Sequence, residues 1–346
     1  TKRFSLISMN DVQLFIKIFA ICCIFYFIGL VPHSSAEIVS ETGIISWVVN
    51  PNVINAEEVS VPEAFETWGI AVYDEKVYLI GRDDGYSVLY YGVNDQWSKL
   101  KTFGERWEYI MKQGSSFYIT KKGYIILCLL NSTNDVLYIS KNGGVSFNIL
   151  SIGEKNELCF SNAVEDNNGN VYLGLNGMGD RSTHYPYVYK LDSELNNISL
   201  LLNFTDINQN HIRDLEYWNG SLYMIVGDNT QNIYRYDIAE NNLVKCLDTK
   251  AGMEYHHVSN IFGGFSELKE INNKMMIAGD SGGFSIFKDK SLSSDYVESW
   301  AEPVSNLDYP RLEPLSASGL AEIDNIIYFA MVGVREEYPS GVYVYS

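Results

Sequence analysis

Cysteine is scarce: of five, Cys22 and Cys23 fall inside one apolar stretch near the start, leaving Cys128, Cys159 and Cys246. Three thiols allow at most one disulfide within the chain, and with no Cys-x-x-Cys or Cys/His ligand spacing a structural zinc site is not expected. Runs of basic residues are missing as well. Lys and Arg number 25 against 43 Asp and Glu, a formal charge of −18. A surface of that sign repels phosphate backbones, which argues against nucleic acid as a partner. The charge serves solubility; a functional use would be binding of a cation or of a basic partner. What is abundant is apolar and aromatic: 46% hydrophobic residues and 25 Tyr describe a folded, strand-favouring chain.

A single long apolar run, Leu14 to Val31, is interrupted only by Lys17 and followed by Pro32-His33-Ser34-Ser35-Ala36. Ser34 and Ala36 place small residues where a signal peptidase reads, so residues 1–36 are expected to be a signal peptide cleaved after Ala36. A membrane anchor is the alternative, because the run approaches the roughly 20 residues needed to cross a bilayer. Either reading makes the product secreted or cell-surface. Asn131, Asn197, Asn203 and Asn219 each begin an Asn-x-Ser/Thr triplet.

The clearest repeat unit is Asn210 to Asp237, NHIRDLEYWNGSLYMIVGDNTQNIYRYD. Asn219-Gly220 between two strand-like runs signals a type I′ hairpin, since both central residues need positive φ. Weaker copies run along the chain from Trp68 to Tyr345. Gly81, Gly174, Gly227, Gly279 and Gly333 close the second strand of most copies at intervals of 93, 53, 52 and 54 residues, the first interval spanning two copies. Four short strands every 50 residues or so predict an all-β, six-bladed β-propeller of antiparallel blades. Seven blades is the alternative count. The sixth copy stops after three strands, and the unpaired run at Ile44 to Val49 is expected to supply the fourth by pairing with Gly341 to Tyr345. Residues 37–346 thus read as one propeller domain, expected to be a monomer.

Ser140-Lys141-Asn142-Gly143-Gly144-Val145-Ser146-Phe147 resembles the Asp-box, S-x-D-x-G-x-[ST]-[WF], of the sialidase-like (BNR repeat) propellers, with Asn142 in place of the usual Asp. It falls between third and fourth strands, where that superfamily carries it. The resemblance implies a propeller fold and a structural role for this turn. It also brings in a sialidase-like glycoside hydrolase as an alternative activity, but no Arg-Ile-Pro occurs and no arginine triad can be placed on this chain.

In a meander of this kind the loops between second and third strands, and the segments leading into first strands, open on one face. They carry Arg82, Arg181, His184, His211, Arg213, Asp228, His256, His257, Asp280 and Arg335, with Asp83, Asp84, Arg106 and Asp214 beside them. The opposite turns are Asn, Asp, Gly and Lys. Ionisable groups converging on rigidly held loops mark the expected binding face, for a polar ligand that is a glycan or a protein. A metal-dependent lyase or hydrolase drawing on His184, His211, His256 and His257 is a third reading. No cofactor is expected, although a bound cation such as calcium is compatible with the acidic composition.

Overall fold

The computed structural model describes residues 3–7, 37–40, 43–47, 56–60, 65–93, 96–106, 117–130, 135–151, 159–176, 186–204, 211–227, 232–248, 265–271, 273–279, 284–287, 289–292, 297–301, 316–323, 326–332 and 341–345. Among them there are strands and turns but no helix. The chain divides into two compact units, residues 1–12 with 55–212, and residues 13–54 with 213–346.

Four strands precede the repeats: β1 (Arg3–Ile7), β2 (Glu37–Ser40), β3 (Gly43–Trp47) and β4 (Ala56–Ser60), of which β1 pairs with β4. The first unit then holds three four-stranded antiparallel meanders. These are β5 (Glu66–Tyr73) to β8 (Gln96–Phe103) through β6 (Lys76–Asp83) and β7 (Tyr86–Val93); β9 (Phe117–Ile119), β10 (Ile125–Leu130), β11 (Asp135–Ser140) and β12 (Asn148–Ser151); and β13 (Cys159–Glu165), β14 (Val171–Asn176), β15 (Tyr187–Leu191) and β16 (Ile198–Asn203). The second unit holds β17 (Ile212–Trp218), β18 (Ser221–Val226), β19 (Asn232–Asp237) and β20 (Asn242–Asp248), then β21 (Phe265–Ile271), β22 (Lys274–Gly279), β23 (Phe284–Phe287) and β24 (Val297–Ala301).

Its third sheet has five strands, in the order β2, β3, β27 (Gly341–Tyr345), β26 (Ile326–Val332) and β25 (Ser316–Ile323). The expected pairing of an early strand with the last one is present: Ile45, Ser46 and Trp47 of β3 face Tyr345, Val344 and Tyr343 of β27. Sequence reading placed β3 there but did not foresee β2, which adds a further strand outside it.

Burial explains the strand chemistry. Every residue of β18 is buried, whereas β8 and β16 are mostly exposed or half-buried, so burial falls from a middle strand to these fourth strands. Apolar cores lie between consecutive sheets rather than within one: Ile80 and Leu89 meet Phe117, Ile125 and Leu127, while Ile126 and Leu137 meet Phe160, Leu173 and Leu191. In the second unit Trp218, Tyr223 and Ile225 meet Leu268, Met275 and Phe287. A sheet of four short strands cannot bury both faces by itself, so stacking against neighbours supplies most of its stability.

The tight turns use the residues their backbones demand. Asn219 and Gly220 have φ of 53° and 83°, the expected I′ hairpin. Asp84 and Gly85, at 47° and 83°, form another two-residue turn, so Arg82, expected in a loop between second and third strands, lies within β6. At the Asp-box-like turn Asn142 Oδ1 accepts from Ser146 N at 3.0 Å, and Ser140 Oγ accepts from Gly144 N at 2.8 Å. Phe147 packs edge-on against Phe103, 5.3 Å between centroids. The turn is therefore a self-satisfied structural element.

Candidate ligand-binding surface

Of the expected site residues, Arg82, His211 and Arg213 lie among the described residues; Arg181, His184, Asp228, His256, His257, Asp280 and Arg335 lie outside them. Arg82 sits on β6 with its guanidinium 5.0 Å from the centre of the Trp68 ring, a cation–π contact that fixes the head group at the end of the hairpin. His211 is half-buried immediately ahead of β17, and Arg213 is exposed on that strand. Among the described residues no group of three His, Cys, Asp or Glu could hold a metal ion.

The β6–β7 hairpin shows the chemistry of such a connection in full. Asp83 Oδ2 accepts from Tyr90 Oη at 2.6 Å and from Lys99 Nζ at 2.8 Å, and Lys99 lies 5.5 Å from the Tyr90 ring centre. The bond from Lys99, then that from Tyr90, holds the Asp83 carboxyl below its ordinary value, while burial pushes the Tyr90 phenol up. Across the turn Arg106 donates to Asp84 Oδ1 at 2.6 Å and to its carbonyl at 2.8 Å. That pair is open to solvent, at 53% and 76% side-chain exposure, and so contributes less than about 1 kcal/mol. The outcome is a hairpin tip where both charge signs and flanking aromatic rings engage one another.

A second cluster was missed by sequence reasoning except for Asp214. On β17 Asp214 and Glu216 are two residues apart, hence about 6.6 Å along the strand. Asp214 accepts from its neighbour Leu215 N at 2.9 Å and from Leu268 N of β21 at 2.5 Å. Glu216, 14% exposed, lies 3.5 Å from Lys269 Nζ. Burial pushes the Asp214 carboxyl up to about 6, against the two main-chain donors, and the Glu216 carboxyl up to about 7, against Lys269. Lys269 is itself raised, first by Glu216. The visible signal was Asp-Leu-Glu in a first strand, where apolar residues are expected on a packed inner element.

No family model matches the chain, and no curated protein matches it. Solved structures do resemble it. YCF48, solved with a D1 peptide bound, has a TM-score of 0.50 at 11% identity, over 90% of this chain and 89% of that one. Saccharomyces cerevisiae Sqt1 has a TM-score of 0.54 at 10% identity, over 90% and 80%. Puromycin hydrolase has 0.56 at 8% identity, over 82% of this chain but only 45% of the hydrolase. With the meandering sheets and the cores between them, these likenesses define the fold as a β-propeller.

Proposed function

We propose that this propeller is an interaction module, taking a polar segment of another protein on the face formed by the connections between second and third strands. The observation that carries this reading is the β6–β7 tip, where Arg82 over Trp68, Asp83 with Lys99 and Tyr90, and Asp84 with Arg106 present hydrogen-bonding groups on a rigid hairpin. Charge-assisted hydrogen bonds from such groups contribute roughly 1.5–3 kcal/mol each when shielded by a ligand. The peptide seen bound to YCF48 supports a polypeptide occupant over a glycan. In the same reading the chain is exported after loss of residues 1–36, and Arg181, His184, Asp228, His256, His257, Asp280 and Arg335 extend the surface.

The experiment is a peptide-library selection run in parallel with a glycan array, using the purified chain and its Arg82→Ala and Arg213→Ala variants. Peptide binders lost in both variants, with Asn142→Ala still binding, are expected. Binding that survives the two arginine changes and fails with Asn142→Ala would move the site to the opposite turns.

A further inference from the structure

We propose that Asp214, Glu216 and Lys269 form a proton-sensitive latch between the first strands of two neighbouring sheets, firm in mild acid and loosened as pH rises towards neutral. The geometry comes first. The Asp214 carboxylate reaches out of β17 to take the Leu268 amide of β21, at 2.5 Å, so one side chain ties the two strands through a main-chain donor. Two positions on, Glu216 is shielded at 14% exposure, and its cation partner Lys269 stands at the long distance of 3.5 Å and is itself 42% exposed. A carboxylate so shielded and so loosely paired is costly to keep ionised.

The charged groups around the pair come from identified elements. β17 supplies Arg213 besides the two acids, β21 supplies Glu267, Lys269 and Glu270, and β22 supplies Lys274; β18 carries none. Glu270 is engaged by Asn273 N at 2.6 Å. Outside the pair itself the two strands that meet carry two acids, Glu267 and Glu270, and two bases, Arg213 and Lys269, so Glu216 is raised first by its burial, which Lys269 offsets only in part.

The sign follows from the folded values lying above the unfolded ones. Glu216 moves from 4.5 to about 7, so the closed junction holds a proton on Glu216 that an opened one releases. Its stability is full below the unfolded values and falls as pH rises through the folded ones, a window of roughly pH 4 to 7. For Glu216 alone the shift corresponds to a change on the order of 100-fold in the opening equilibrium.

The test uses the full chain with carboxyl-carbon labelling of Asp and Glu, titrated by NMR, and thermal unfolding from pH 5 to 8. Glu216 is expected to titrate near neutrality in the native protein. Glu216→Gln, which mimics the protonated side chain, should flatten the decline in melting temperature and leave the variant at least as stable as the parent at pH 8. Lys269→Met should move the Glu216 titration further upward, a change that a purely packing role for the lysine would not produce. Should Glu216→Gln not fold, the native titration and Lys269→Met still decide. A Glu216 carboxyl that titrates below pH 5, or a pH profile unaltered by Glu216→Gln, overturns the latch.

Discussion

Asn142 shows how much one side chain settles at a turn. Its oxygen takes the Ser146 amide and its nitrogen donates to Ser146 Oγ at 2.8 Å, while Ser140 Oγ holds Gly144 N. Replacement by Ala removes both arms and should lower stability by about 1 kcal/mol, the scale of a turn hydrogen bond. Asn142→Asp keeps both as acceptors, because the Ser146 hydroxyl can turn round and donate, and should stay within about 0.5 kcal/mol of the parent. Chemical denaturation of the two variants checks this ordering. Asp166 is a stronger case: it is buried and accepts from the Asn168 and Asn170 main-chain amides, from Asn170 Nδ2 and from Tyr172 Oη. Asp166→Ala strands several donors at once and should cost about 3 kcal/mol. The motif marks the first turn in the sequence, whereas at the second only Asn167-Asn168-Gly169-Asn170 signals a turn. The acid that organises the second precedes those residues, where it looks like an ordinary strand end.

At the scale of elements, period and turn chemistry carried the reading. The period near 50 residues, the Asn-Gly turn and the recurring glycines anticipated copies of four short strands, and the described residues form them as antiparallel sheets. What stayed hidden were side-chain ties formed between elements distant in sequence. Leu195 and Leu292 each sit in left-handed backbone, φ 50° and 54°, donate to the carbonyl of an Asp three residues earlier, and are buried. Asp-Ser-Glu-Leu and Asp-Lys-Ser-Leu look like loops because nothing local shows that their leucines enter a core. Lys290, in the second of these turns, accepts from both Tyr223 Oη and Arg235 across to the preceding sheet, another tie with no sequence signature. Close approach of neighbouring sheets is similar. A Cβ at Gly174 would stand 3.0 Å from Ile212 Cγ2, so this glycine leaves room for the next first strand. Gly174→Ala should therefore cost about 1–3 kcal/mol by overpacking. Adding Ile212→Ala, which removes Cγ2, in a double-mutant cycle should offset part of the overpacking, and full additivity would show that the two do not touch.

For the whole molecule, the instructive feature is that an early strand and the last strand share a sheet. β27 has β26 on one side and β3 on the other, and β3 is in turn covered by β2. Without residues 37–50 the outer side of β27 would present a row of unpaired main-chain groups, which is both a loss of ladder hydrogen bonds and an invitation to pair with another chain. Several ladder hydrogen bonds at about 1 kcal/mol each amount to a sizeable part of the 5–15 kcal/mol that typically separates folded from unfolded states. Deleting residues 37–50 should thus lower the melting temperature far more than removing an equal length of surface loop, and should raise the tendency to associate at high concentration. The two readouts separate the causes. A lower melting temperature with no association places the loss in the sheet's own stability, whereas an unchanged melting temperature means that β27 finds its outer partner elsewhere in the chain.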